Sequence, residues 1–168
     1  NVTLCRETLA PLGIDFREME DESHMPFDDA TFDIVLNRHG SYDPKEIYRV
    51  LKPGGLFITQ QVGEDNDWDL VKLVLPNHEK SFPGHNLEKQ SKLFTDAGFT
   101  SPEQGETFQP IRFYDTAALV WFAKVIPWEF TDFSVEDCFE NLLKVEKQIR
   151  EKGFVEGKVH RFYFVMRK

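Results

Sequence analysis

Apolar and polar positions change their period along this chain and sort it into alternating helices and strands. Over residues 1–12, Val2, Cys5, Leu9 and Leu12 recur at helical spacing, and Pro11 and Gly13 break the run. Ile14 to Met19 alternates apolar with polar residues, which predicts a strand. An acidic loop from Glu20 to Asp29 leads into Phe32-Asp33-Ile34-Val35-Leu36, a short, mostly apolar strand suited to a sheet interior. Asp43-Pro44 opens a helix, with Asp as N-cap and Pro at the first helical position. Ile47, Val50 and Leu51 form its buried side, and Lys52-Pro53-Gly54-Gly55 ends it. Leu56 to Val62 is a further strand. This order predicts an α/β fold with a parallel sheet.

The second half is less regular. Asp69 to Leu75 predicts a short helix. Asn86 caps another, with Leu87, Leu93, Phe94 and Ala97 inside and Gly98 past its end. Thr107 to Phe113 reads as a strand. Asp115 to Ile126 is a helix apolar on nearly all sides, which needs cover from other protein. Ser134 begins a long helix with Asp137 placed for a capping box. Its stripe is Val135, Cys138, Phe139, Leu142, Val145 and Ile149, and Gly153 stops it. Val159 to Val165 is the last strand.

Composition narrows the class. At 168 residues the size is that of one domain, and sixteen Phe supply a large apolar area for its core. A net charge of −9 disfavours a duplex-binding surface and makes nucleic acid an unexpected partner. Cys5 and Cys138 form no metal or redox spacing and suit a reducing cytosol, so a cytoplasmic location is expected. The five His fit no metal-binding pattern, so no metal is expected. No apolar run approaches the length of a membrane span, so no membrane association is expected.

Two segments carry a resemblance. Met25-Pro26-Phe27-Asp28-Asp29-Ala30-Thr31-Phe32-Asp33-Ile34-Val35, then Arg49-Val50-Leu51-Lys52-Pro53-Gly54-Gly55, are similar to the middle of class I S-adenosylmethionine-dependent methyltransferases of the small-molecule type, in that family's order and spacing. The resemblance implies a Rossmann-like sheet, mostly parallel with an antiparallel last strand, in the family order 3-2-1-4-5-7-6. It implies one partial methyltransferase domain over 1–168, with a cofactor-side half at 1–62 and a substrate-side half and lid at 63–168. The Ile126-Pro127-Trp128 segment also resembles the tail of some bacterial small-substrate members.

The resemblance also implies site residues. In an open α/β sheet, ligands sit at the carboxyl ends of strands. Asp21 falls where the family places an acidic residue beside the adenine of S-adenosylmethionine. The backbone N–H of Glu22 then faces a ring nitrogen, and Met25 and Phe27 supply apolar contact. A solvated acidic loop without a ligand is the alternative. Asn37, Arg38 and His39 follow the Phe32–Leu36 strand, where the family borders the methionine part of the cofactor and the reacting methyl group. His39 is the candidate general base, needed only if the acceptor must lose a proton; capping the strand end is its other reading. Tyr42 either lines the same pocket or packs under the loop. Trp121, Trp128 and Phe130 either roof an apolar acceptor or pack core and lid. No Asn-Pro-Pro-Tyr signature follows the strand, which favours a small-molecule acceptor.

The sequence also departs from the family. No "D-x-G-x-G-x-G" loop and no ribose-binding acidic residue precede Asp21; the one early glycine is Gly13, in a turn. Strands one and two are therefore absent from the expected sheet. That leaves a gap of roughly 14 Å beside Phe32–Leu36 at ~4.8 Å per strand. A further segment fills it, a second copy pairs across it, or the Ile14 strand re-pairs beside Phe32–Leu36. If the chain begins at Asn1, a homodimer is expected. Two functions follow: methyl transfer by the intact parent protein, the 168 residues alone being inactive, or a non-catalytic methyltransferase-like binding or dimerisation module. A nicotinamide-dependent dehydrogenase fits the Pro26-Phe27 and Lys52-Pro53-Gly54-Gly55 pair poorly.

Overall fold

A computed structural model describes residues 2–168; the start of the first predicted helix, Asn1, lies outside the described residues. Helix α1 runs Val2–Leu9, and a 3-10 turn over Ala10–Leu12 ends at Gly13, whose φ of 75° is left-handed. Strand β1 is Phe32–Arg38, helix α2 Pro44–Val50, strand β2 Leu51–Val62, helix α3 Trp68–Val74 and helix α4 Leu87–Asp96. Strand β3 is Thr100–Phe113, helices α5 and α6 are Thr116–Val125 and Phe139–Lys152, and strand β4 is Val155–Arg167. The sheet order is β1-β2-β4-β3, the 4-5-7-6 end of the expected family order.

Register fixes the directions. Asp33 lies against Gly55 and Asn37 against Thr59, so β1 and β2 are parallel. Gly54 pairs with Lys168 and Gly63 with His160, so β4 runs antiparallel to β2. Thr100 bonds Arg167 and Arg112 bonds Glu156, so β3 is also antiparallel to β4. The expected antiparallel last strand is therefore present.

One predicted strand does not form. Ile14–Met19 has no regular structure, and Ile14 and Met19 are about half exposed. Alternating residues make a strand only when a neighbour completes the ladder, and no strand pairs with this segment among the described residues. The segment does not re-pair with β1. Arg17 instead ion-pairs with Asp15, bonds the Pro26 carbonyl and stacks over Phe27 at 4.5 Å. Ile34 and Leu36 of β1 are exposed at 53% and 74%, unlike an interior strand.

The chain divides into two compact units, with residues of β2, β3 and β4 in both. One comprises the chain up to Thr59, Lys92–Glu103 and Val165–Lys168. Its core joins Ile47, Val50 and Leu51 to Phe57, Phe94 and Phe99, with Phe57 stacked on Phe94 at 4.9 Å. Asp43 caps α2 through the N–H groups of Lys45 and Glu46, as predicted. At the other end of α2, the Lys168 ammonium bonds the Tyr48 and Leu51 carbonyls. Those carbonyls lack a partner within the helix, so the lysine satisfies them. Lys52-Pro53-Gly54-Gly55, expected as a helix stop, is already strand, because Gly54 and Gly55 pair with Lys168.

The second unit, Gln60–Ser91 and Gln104–Phe164, is built on α3, α5 and α6. Leu70, Val71, Val74, Leu119, Ala123, Leu142, Val145 and Ile149 interlock in its core with Phe130 and Cys138. Asp115 caps α5, and Ser134 and Asp137 bond each other ahead of α6. The apolar α5 is covered on one side only, leaving Trp121 66% exposed.

Gly63 sets the approach of β4 to β2. A Cβ placed there would lie 2.1 Å from the ring of buried His160, which is bonded through both nitrogens. We expect Gly63→Ala to destabilise the chain by about 1–3 kcal/mol or more. Urea denaturation checks this; an unchanged midpoint would show that the ring moves freely.

Candidate functional site

In the first unit, the acidic loop reaches α2 through one arginine. The Arg49 guanidinium meets both Glu46 oxygens, at 2.9 Å from Nε and 2.6 Å from Nη2. It also donates to Asp29 at 2.7 Å and to the Met25 carbonyl at 3.2 Å. The Met25 N–H donates to the same Glu46 carboxylate at 2.7 Å. Glu46 is buried, and Arg49 beside it holds its carboxyl below the usual range. Backbone bonds from Ala30 and Thr31 to Arg49 and Val50 complete the attachment.

Asp21 lies exposed at the far part of this loop. The Ser23 hydroxyl and N–H both donate to its Oδ1, at 2.5 and 2.8 Å. These donors, the hydroxyl first, hold the Asp21 carboxyl below its ordinary value, so it is ionised at neutral pH. Glu22 and Met25 are half-buried beside it. At the carboxyl end of β1, the Asn37 amide donates to the Ser41 carbonyl at 3.2 Å, and its oxygen accepts from the Thr59 hydroxyl at 3.2 Å. Arg38 is exposed. His39 is exposed too, at a left-handed φ of 57° that turns the chain sharply after the strand. Tyr42 sits edge-on to Phe57 at 5.8 Å and to Phe94 at 5.3 Å, and burial pushes its phenol well above the ordinary value. The structure thus brings Asn37 and Tyr42 onto β2 and its core, and leaves Asp21, Arg38 and His39 in solvent.

The second unit carries Trp121 and Trp128, both more than half exposed, and Phe130, which is buried in the core. It also carries a polar cluster that the sequence reading missed. The Asn66 amide nitrogen donates to Asp67 at 2.7 Å and to Glu129 at 3.3 Å. Its oxygen accepts from the His160 N–H at 3.2 Å and from Arg161 at 2.6 Å. One asparagine therefore joins three segments of the unit. Asp67 Oδ1 is buried without a hydrogen-bond partner, and Asp67 itself has a left-handed φ of 55°. The signal available in the sequence was His160-Arg161, two polar residues inside the otherwise apolar run from Val159 to Val165. Nearby, Glu64 accepts from the Gly84 N–H and the Asn86 amide, which hold its carboxyl below the usual range, Gly84 contributing most. Among the described residues, no group of three or more His, Cys, Asp or Glu is placed to hold a metal ion, and no helix is long and apolar enough to cross a membrane.

The model of the methyltransferase domain family matches residues 1–59, the stretch containing the acidic loop and the turn after β1. A solved structure from Bacillus halodurans C-125, described as a candidate methyltransferase, superimposes with a TM-score of 0.60 at 18% identity. The match covers 99% of this chain and 78% of that one.

This chain has the class I methyltransferase fold.

Curated relatives agree with the fold over shorter stretches. Sterol 4-C-methyltransferase of Caenorhabditis elegans is 41% identical over 73 residues, 38% of this chain and 22% of that protein. Phthiotriol/phenolphthiotriol dimycocerosates methyltransferase of Mycobacterium tuberculosis is 34% identical over 97 residues, 52% of this chain and 36% of that protein. The chain thus matches about a third or less of the length of these methyltransferases.

The buried cluster gives this methyltransferase fold a pH response. Burial pushes Glu129 up to about 7 and Asp67 up to about 6. A carboxyl raised in the folded state keeps its proton where the unfolded chain has lost it. Stability from Glu129 therefore falls as pH rises between 4.5 and about 7, and stays low above that. We expect Glu129→Gln to gain stability relative to the wild type between about pH 5 and pH 8, by on the order of 1 kcal/mol after screening of a partly exposed group. Paired urea titrations at the two pH values measure the difference; a constant difference refutes it.

Proposed function

We propose that this chain is part of an enzyme that transfers a methyl group from S-adenosylmethionine to a small, apolar acceptor. The observation that carries this reading is the methyltransferase-domain match over residues 1–59, which spans both the acidic loop and the turn after β1. The apolar acceptor is supported by the sterol and phthiotriol dimycocerosate named in the two relatives. The exposed Trp121 and Trp128 are suited to cover such an acceptor.

The roles assigned within this reading come from the family resemblance, and the geometry supports them where stated. Asp21, ionised and exposed, accepts from the adenine amino group, with the Glu22 N–H and the Met25 side chain alongside. Asn37, held by Ser41 and Thr59, and Arg38 border the methionine part of the cofactor. When bound, the cofactor supplies the electrophilic methyl group, and the protein's main task is alignment of the acceptor. His39 takes a proton where the acceptor has one to lose. Tyr42, held protonated by its aromatic surroundings, forms a wall and a hydrogen-bond donor.

The fit to the cofactor is partial. Asp21 and the β1 turn suit its adenine and methionine ends, but this sequence has no glycine cradle or ribose carboxylate before Asp21. That observation favours the second reading, a methyltransferase-like module without catalysis, for the 168 residues by themselves.

Calorimetric titration with S-adenosylmethionine separates the two. The 168-residue chain alone should bind weakly or not at all, and a micromolar or tighter dissociation constant would contradict the partial fit. In the intact parent protein, binding should be restored, and Asp21→Ala should weaken it roughly tenfold while leaving the fold intact. A parent that ignores the cofactor supports the non-catalytic module.

A further inference from the structure

Helices α5 and α6 flank a trough of about 560 Å³, of whose lining only Trp121 has a role above. Val120 and Trp121 form one wall, and Phe139, Leu142 and Leu143 the other. Trp121, Phe139 and Leu143 are 66%, 52% and 49% exposed, so apolar surface here meets water. The trough runs from Thr116 to Lys124 along α5, about 12 Å at 1.5 Å per residue. Its two ends differ in charge. At the Thr116 end, Glu146 accepts from the Thr116 hydroxyl and from Arg150, both at 2.7 Å, and is thereby neutralised. At the other end, Lys124 has no ion pair among the described residues.

These features select the occupant by size and charge. The volume lies within the roughly 300–1,000 Å³ of small-molecule sites. A trough two helical turns long and about one helix wide offers on the order of 100 Å², far below the ~800 Å² per partner of a stable protein interface. An extended apolar chain fits the walls, and an anionic head group answers the unpaired ammonium of Lys124. We propose that the α5–α6 trough binds a single-chain amphiphile with an anionic head, the chain between Trp121 and Leu143 and the head on Lys124. Its further role, as the site that holds the acceptor's apolar chain, rests on the methyl-transfer reading above.

The test is calorimetric titration of the 168-residue chain with dodecanoate below its micellar concentration, without cofactor. Saturable binding near one per chain is expected, at least tenfold tighter than for dodecyltrimethylammonium. Leu143→Glu, at an exposed helical position, should weaken dodecanoate binding tenfold or more. Lys124→Glu should reverse the preference between the two probes, with circular dichroism showing both variants folded. No saturable binding, or binding indifferent to both substitutions, overturns the proposal. So does sedimentation that finds a dimer dissolved by Leu143→Glu, since a second copy then holds the trough. Because no cofactor enters the titration, its failure refutes the trough alone. A parent that binds neither cofactor nor acceptor refutes the methyl-transfer reading while dodecanoate binding stands.

Discussion

The loop that leads into β1 depends on Arg49. Residues 14–31 contain no regular element, so side-chain contacts and a few backbone bonds fix their course. One guanidinium spans a buried carboxylate on its own helix, a second carboxylate in the loop and the loop's Met25 carbonyl. A planar fork with five donors can do this; an ammonium on a flexible stem offers no such geometry. Backbone bonds from Ala30 and Thr31, just before β1, to the last turn of α2 tie the helix to the strand it follows. The positions of Met25 and Asp29 are thus inherited from a helix, even though the loop itself is irregular.

The second unit solves a similar problem with a neutral residue. Asn66 gives both amide hydrogens to carboxylates and takes two donors on its oxygen, so its bonding capacity is largely used. Two carboxylates and one arginine around it share a poorly hydrated space. Burial opposes charge on all three, raising Asp67 and Glu129 and lowering Arg161. Such networks specify one arrangement only when satisfied, and the unpartnered Asp67 Oδ1 marks where this one is strained.

Much of the fold was legible because its signals are local. Asp43 and Asp115 cap the helices predicted for them, and Asn86 bonds the Lys89 N–H as a cap should. Gly98 and Gly153 take the left-handed conformation past helix ends. What failed depended on distant neighbours. Ile14–Met19 has strand periodicity, but no strand pairs with it among the described residues. Lys52–Gly55 reads as a helix stop until Lys168, more than a hundred residues on, draws Gly54 and Gly55 into the sheet. The candidate loop and turn were visible through the family motif. The Asn66 cluster was not, because its members come from three separated segments and match no spacing rule. Tyr42 stood open between pocket and packing, and its place between Phe57 and Phe94 depends on Leu87–Asp96, a helix far along the chain.

The position of β1 at the end of the sheet order has a consequence for motion. A strand with one neighbour bonds only every second residue's backbone to the sheet and leaves the rest to water. Opening it breaks one ladder, where opening β2 or β4 breaks two. Its outward Ile34 and Leu36 add little burial to resist the change. Within these 168 residues β1 therefore belongs to the low-cost end of the local unfolding spectrum, and the turn bearing Asn37, Arg38 and His39 moves with it. In the 168 residues by themselves, a ligand at that turn supplies part of the order that a second neighbouring strand imposes wherever one is present.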